Sequence, residues 1–320
     1  MLAYTVRRFL FSVVVLFLAS VTIFVLVNLG YDPLADLRQN PRISGEDIRR
    51  IAAIYGLDRP LHERYVIWIT DFVRGDFGYS VNNQSPVAEV IGPRVWPTVL
   101  LMGTSLIFTV IIAVPFGIYS AIKKYSTLDN VGTFLSFVGY SMPSFWLGLI
   151  LQLVLGVYLT AWAGTRIFYT SGMSSGEGGL LDLLQHLTLP VLTLSAISIA
   201  AYSRFQRSAM LEVLSADYLR TARAKGLSQR RVYLKHALRN ALIPIVTLIA
   251  LDMGALLGGA IITETVFAWP GLGFLLADAL YKGDYNVAQA LLMISAILIV
   301  FFNFVADIAY SIVDPRISYS

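Results

Sequence analysis

The chain has 320 residues, 57% of them hydrophobic and only 14% charged, where a soluble domain carries roughly a quarter charged residues. It has no cysteine, which excludes disulfides, thiolate metal sites and cysteine-held iron–sulfur clusters. With a mean hydropathy of +0.69 and its apolar residues gathered in bilayer-length runs, it reads as an all-α membrane protein, and the net charge of +4 becomes a question of sidedness.

Six runs reach the length of about 20 apolar residues that a span needs: Phe9 to Leu29, Trp96 to Ile122, Val131 to Leu159, Leu187 to Met210, Ala241 to Thr263, and Val287 to Val313. The first follows Arg7-Arg8 but is longer than the apolar core of a signal peptide and lacks a small-x-small cleavage site, so it is read as a span. When six spans alternate, Arg7, Arg8, Lys123, Lys124 and the basic residues between spans four and five share one side. That side holds about 14 basic and about 4 acidic residues, the other about 10 and about 14, which predicts that both termini are cytoplasmic. The basic residues follow the membrane alternation rather than one soluble face, which argues against nucleic-acid binding.

Between spans one and two lies a long segment of mixed charge, predicted to fold outside the membrane. Ser44-Gly-Glu-Asp47 reads as a helix start with an acid at the third helical position, and Ile48, Ile51, Ala52 and Tyr55 follow at helical spacing up to Gly56. A second helix is predicted from Pro60, with Leu61, Tyr65, Ile69 and Phe72 on one stripe and Gly75 at its end.

The basic segment from Met210 to Pro244 is the most distinctive part of the chain. Ser215 to Lys225 has the composition of a short helix with Ala216, Leu219, Ala222 and Arg223 on one stripe. Gly226 can end it by adopting positive φ without a Cβ clash. A second helix is predicted from about Ser228 through Val232, Tyr233 and His236. A surface helix of this kind, with small residues at Ala222 and Ala224, suits a groove on a soluble partner; contact with anionic lipid is the plainer alternative. No Gly-x-x-x-x-Gly-Lys-Ser/Thr loop occurs anywhere, so the chain has no recognisable phosphate cradle. His62, His186 and His236 lack the spacing of a metal site.

Polar residues inside the spans are costly and mark either a polar path or a bond to a neighbouring helix. Asp252 sits near the middle of span five with Ala255 and Gly259 on its face, while Gly254 and Gly258 fall on the opposite, packing face. In span six, Gln289, Ala296, Asn303, Asp307 and Ser311 recur on one stripe. Asp252, Gly259 and Asn303 are the candidates for a translocation path. Beyond span five, Glu264-Thr-Val-Phe267-Ala-Trp269-Pro270-Gly-Leu-Gly273 is a turn-rich element.

Taken together, these strings resemble the permease subunit of ABC importers in the oligopeptide, dipeptide and nickel branch, on the side of its first (B-type) permease. The resemblance covers nearly the whole chain. Its carriers are Tyr218-Leu-Arg-Thr-Ala-Arg-Ala-Lys-Gly-Leu227, Arg239-Asn-Ala-Leu-Ile-Pro244, Gly56-Leu-Asp-Arg-Pro60, Ser141-Met-Pro-Ser-Phe145 with Gly148, Asp314-Pro-Arg316 and the Glu264 to Gly273 element. Two places depart from the branch: Gly30-Tyr-Asp-Pro33 where it has Pro-Gly-Asp-Pro, and Asn286 where a proline usually follows Asp284-Tyr285.

The resemblance implies a type I importer permease fold of six spans, divided as 1–29 (N-terminus and span one), 30–95 (extracytoplasmic helical segment) and 96–320 (core, with a coupling loop at 211–240). It implies a non-catalytic subunit in a bacterial or archaeal cytoplasmic membrane, forming half of a path for di- or oligopeptides. Nickel chelates, glutathione or glycosides are the alternative cargo, and a proton-coupled transporter or channel is the alternative class. The implied partners are a homologous permease, two ATPase subunits that bind ATP and magnesium, and an extracytoplasmic solute-binding protein. Tyr218, Arg220, Thr221, Ala222, Lys225, Gly226 and Leu227 would couple to the ATPases. Glu264, Phe267, Trp269, Pro270 and Asp284 would form an outer gate or binding-protein contact.

Overall fold

The computed structural model describes residues 2–30, 44–54, 56–176 and 178–313, apart from the side chains at 2–4, 51, 54, 250, 251, 254–259 and 309–313. The elements, in order, are α1 (Leu2–Gly30), α2 (Gly45–Ile54), α3 (Leu61–Val73), β1 (Tyr79–Ser80), β2 (Ser85–Pro86), α4 (Val87–Ile122) and α5 (Thr127–Ser141). They continue with α6 (Ser144–Ala163), α7 (Leu180–Leu214), α8 (Asp217–Ala224) and α9 (Gln229–Ala241). The last three are α10 (Ile243–Val266), α11 (Leu272–Lys282) and α12 (Tyr285–Val313). Five described helices, α1, α4, α6, α7 and α12, are long and apolar enough to cross a membrane; a sixth is added if α9 and the start of α10, bent by 44°, count as one span.

Contacts divide the chain into two units, Met1–Val95 with Phe274–Phe301, and Trp96–Gly273 with Phe302–Ser320. Aromatic packing organises the first. Phe24 of α1 meets Tyr65 and Trp68 of α3, both at 5.5 Å between ring centroids, and the stack runs on through Phe72 to Phe77. Ser20 and Tyr65 share a hydrogen bond of 2.8 Å, and Arg64 donates to Asn28. Helix α2 begins as a reciprocal cap: the Asp47 amide donates to the Ser44 hydroxyl, which donates to the Asp47 carboxylate. The two short strands pair antiparallel, Tyr79 with Pro86 and Ser80 with Ser85.

Helix α7 is the centre of the second unit and packs against α5, α6 and α10. Close approach there depends on absent side chains. A Cβ at Gly132 of α5 would fall 1.9 Å from the Phe116 ring, and one at Gly117 of α4 would fall 2.7 Å from Gln206 of α7. Gly148 of α6 lies against Val266 and Phe267, where a Cβ would have 3.2 Å.

The third predicted span, Val131 to Leu159, is not one continuous helix. It breaks between α5 and α6 at Met142, which is extended at φ −83° and ψ 130°. Pro143 is the cause, since it has no N–H and forces the residue before it out of the helical region. Helix α6 then carries a π-helical stretch, Gln152–Tyr158. There Gln152 Nε2 donates to the carbonyls of Thr170 and Val266 at 2.7 and 3.0 Å. The second predicted span gains a turn and more at its start, with α4 beginning at Val87. Gly30 ends α1, while the rest of Gly30-Tyr-Asp-Pro33, together with Tyr55 and Asp314-Pro-Arg316, lies outside the described residues.

Candidate functional site

The basic segment forms a helical hairpin, α8 and α9, hinged at Gly226. Gly226 has φ +77° and no neighbour within 4 Å of its missing Cβ, so conformation, not space, requires glycine there. The amides of Lys225, Gly226 and Leu227 donate back to Thr221, Arg223 and Ala222 and close the end of α8. The hairpin packs into a core shared with the ends of α7 and α4: Leu219, Val232, Ala237 and Ala241 are buried with Met210 and Ala121.

That core decides which predicted coupling residues face outward. Ala222 and Leu227 pack against it, so the stripe through Leu219 and Ala222 is covered by the chain itself. Tyr218, Arg220, Thr221, Arg223, Ala224, Lys225 and Gly226 remain exposed. Tyr218 accepts a hydrogen bond of 2.7 Å from Asn240, which braces α8 against α9. Arg220 reaches Asp217 at 3.4 Å, a solvated pair of small energetic weight. Ser228 precedes α9 but makes no side-chain cap.

The Glu264 to Gly273 element is built inward. The Thr98 hydroxyl donates to Glu264 Oε1 at 2.7 Å and accepts from the Leu272 amide at 2.7 Å. Trp269 donates through its amide to the Glu264 carbonyl at 2.8 Å and through its indole to the Pro97 carbonyl at 2.9 Å. A Cβ at Gly271 would meet the Glu264 carboxylate at 2.3 Å, and one at Gly273 would meet Ile261 Cα at 2.6 Å. The glycines of this string are therefore sites of close approach. Glu264, Phe267, Trp269 and Asp284 are all exposed by 2% or less, and Pro270 is half-buried. Asp284 accepts from Ser80 at 2.5 Å and joins the β1–β2 turn to the start of α12.

Asp252 is half-buried on α10 and accepts a hydrogen bond of 2.8 Å from the Tyr202 hydroxyl of α7. Asn303 of α12 is exposed. The side chains of Ala255, Ser311 and the glycines at 254, 258 and 259 lie outside the described residues, so the Gly259 candidate gains no placement.

The sequence reading missed two polar centres. Asp129, buried in the first turn of α5 ahead of the third span, receives both Arg207 Nε and Nη2 of α7 at 2.8 and 2.9 Å. The Arg207 hydrogen bond holds the Asp129 carboxyl below the usual carboxylate range, against the opposing effect of burial. Ser126 caps α5 through the Asp129 amide, so Ser126-x-x-Asp129 carried a legible start signal. Asp182 is the second centre. It gathers the hydroxyls of Ser174 and Ser175, each at 2.7 Å, while His186 stacks on Tyr169 at 4.0 Å. Together they fold the loop between α6 and α7. No cluster of three or more His, Cys, Asp or Glu suited to a metal occurs among the described residues.

The architecture has known counterparts. A chain of the methionine ABC transporter MetNI, in an inward-facing conformation, matches with a TM-score of 0.55 and 19% identity, over 70% of this chain and 96% of that one. The oligopeptide transport system permease protein AppB of Bacillus subtilis (strain 168) is 42% identical over 322 residues, covering 100% of both chains. The dipeptide transport system permease protein DppB of Escherichia coli (strain K12) is 38% identical over 89% of both. The glutathione transport system permease protein GsiC of Salmonella choleraesuis (strain SC-B67) is 40% identical over 100% of both. Residues 1–103 match the N-terminal part of the membrane component of binding-protein-dependent transport systems. Residues 113–319 match the family described as the binding-protein-dependent transport system inner membrane component, and the chain, a multi-pass permease subunit with the type I ABC importer fold, belongs to that family.

Proposed function

We propose that the chain forms half of the translocation path of an ATP-driven importer for di- or oligopeptides, and that the α8–α9 hairpin is where separate ATPase subunits grip it. The observation that carries this reading is the construction of the hairpin. Leu219, Val232, Ala237 and Ala241 pack into a core with Met210 of α7 and Ala121 of α4, while a glycine-hinged, basic face is left exposed. A loop that only obeyed the charge rule would not need to be packed against the ends of α4 and α7.

In this reading six spans place both termini and the hairpin in the cytoplasm, as the charge distribution favours, and the segment between α1 and α4 outside. One chain supplies half a path and pairs with a homologous permease. Two ATPases, which hold ATP and magnesium, close below it, and an external solute-binding protein delivers cargo above it. This chain contributes no catalysis. Asp252, bridged to Tyr202, is the polar group proposed to border the path, and the Glu264 to Gly273 element is proposed to shape the outer gate. The relatives named for oligopeptide, dipeptide and glutathione transport support a peptide cargo, glutathione being a tripeptide itself.

The test is reconstitution of the chain with its cognate permease, ATPases and binding protein. ATP-dependent uptake of a labelled dipeptide is expected. Uptake by the lone chain on a proton gradient would overturn the reading.

A further inference from the structure

The break at Met142 and Pro143 lies deep in the membrane-spanning part of the second unit. Helix α5 runs 15 residues, about 22 Å, from its start after Lys123 and Lys124, and α6 continues for 20 residues beyond the break. Pro143 offers no N–H to the Gly139 carbonyl, and the Ser141 hydroxyl is spent on the Phe137 carbonyl at 2.8 Å. Non-helical backbone at such depth is tolerated only inside protein or against a water-filled cavity. The break borders a groove of about 630 Å³ lined by Phe137, Met142, Pro143 and Trp146, a size that suits a small ligand.

Arg204 of α7 stands beside this groove. Its guanidinium carbon is 5.3 Å from the ring centroid of Phe137, which also lines the groove, and 5.2 Å from that of Tyr140. The 3.4 Å contact between the Ser136 and Ser203 hydroxyls brings the two helices level there. Tyr140 is a turn deeper than Ser136, so the head of Arg204 is turned into the membrane, whereas a long cation in a span ordinarily snorkels to the surface. Arg207, almost a turn further on, is paired with Asp129. Arg204 is partly exposed and makes no ion pair or hydrogen bond among the described residues. Aromatic rings attract a cation, but they leave its in-plane N–H donors without oxygen acceptors.

We propose that Arg204 takes the C-terminal carboxylate of the peptide cargo within the membrane, with the terminal residue seated in the groove at the Met142–Pro143 break. The proposal rests on the peptide-importer reading and names the group by which this half of the path would hold its cargo. A guanidinium only donates, and its fork matches the two oxygens of a carboxylate. Lipid phosphates lie at the surface, about 15 Å from the bilayer centre, and an arginine head turned inward faces away from them. The groove walls, aromatic and aliphatic with few polar groups, accept side chains of varied shape without selecting among them. Charge is thus read at Arg204 and the side chain is left free, which suits a cargo defined by its terminus.

The experiment is thiol labelling in the groove. The chain has no cysteine, so Trp146→Cys, at a position 45% exposed, gives it a single reactive site. The full chain in its native complex is placed in lipid nanodiscs without nucleotide or binding protein, and labelling by a water-soluble maleimide is followed against added L-alanyl-L-alanine. The dipeptide is expected to slow labelling at millimolar concentration, and so is its N-acetyl derivative, which keeps the carboxylate. The C-terminal amide is expected to need at least about ten times the concentration for the same protection, because it loses the charge-assisted contact. Adding Arg204→Gln should remove the difference between acid and amide, whereas Arg204→Lys, which keeps the charge, should retain part of it. A thiol that does not react with the maleimide at all would show a groove facing lipid and would overturn the proposal. So would equal protection by acid and amide in the Trp146→Cys chain, a comparison that needs no change at Arg204. Release of a partner permease by Arg204→Gln, with acid and amide still alike, would assign the arginine to an acid of that partner instead. A failed importer reading would show as missing ATP-driven uptake, which this labelling does not use.

Discussion

Gly271 and Glu264 are packed so tightly that no methyl group fits between them, since a Cβ at position 271 would lie 2.3 Å from the Glu264 carboxylate. That carboxylate is wholly buried and held by Thr98, so it cannot swing into solvent to make room. Gly271→Ala is expected to destabilise the purified chain by roughly 1 to 3 kcal/mol, the usual cost of overpacking. The check is thermal unfolding in detergent, with Glu264→Ala as the second arm of a double-mutant cycle. The double variant should lose less than the sum of the two single variants, because removing Glu264 vacates the volume that the new methyl group needs.

Asp129 and Arg207 tie the start of α5 to α7 by a two-pronged bond. The Asp129 pKa is depressed in the folded chain. Its stabilising contribution is therefore fully present above the ordinary aspartate value of about 3.9, and is lost as the pH falls below that value and through the folded one. Unfolding followed from pH 7 to pH 3 should show this acid-side loss, and Asp129→Asn should flatten it. At neutral pH, Arg207→Met should cost roughly 3 kcal/mol by leaving a buried carboxylate unpaired.

Asp252 and Tyr202 behave as a hydrogen-bonded bridge between α10 and α7. Asp252→Asn preserves an acceptor for the Tyr202 hydroxyl, so uptake should stay within about twofold, whereas Asp252→Leu strands that hydroxyl and should lower assembly and uptake together. Uptake rates of both variants, normalised to the amount of inserted chain, decide this. Equal loss in the two would assign Asp252 a charge-dependent part in transport instead.

Leu219 is fully buried at the centre of the hairpin core, and Lys225 is exposed on its surface. Leu219→Ala should cost about 2 to 5 kcal/mol through the cavity it leaves and loosen the hairpin. Lys225→Ala should leave thermal stability unchanged and weaken only ATPase binding. Pull-down of the ATPases together with melting curves separates the two effects.

The long helices α1, α4, α7 and α12, the hairpin and its hinge were legible in the sequence because each rests on a local signal: a 20-residue apolar run, a basic loop, one glycine able to take positive φ. The break at Met142 carried an equally local signal in Pro143, but apolar continuity from Val131 to Leu159 masked it. Other features were illegible for a different reason. Thr98 with Glu264, Asp129 with Arg207, and Ser80 with Asp284 are separated by 166, 78 and 204 residues, and no periodicity in one chain pairs such positions. The inward turn of Ala222 follows from Leu219, whose place three residues earlier puts both on the face that the hairpin must bury.

The most direct test of the coupling role is Gly226→Val in the reconstituted transporter, read as ATP hydrolysis stimulated by the loaded binding protein. A β-branched residue cannot take φ +77° without strain, so the hinge must deform although the spans remain inserted. The account predicts that stimulation is lost or that the ATPases dissociate, with the chain still folded in the membrane. Stimulated hydrolysis and ATPase binding at the level of the unaltered transporter would contradict it.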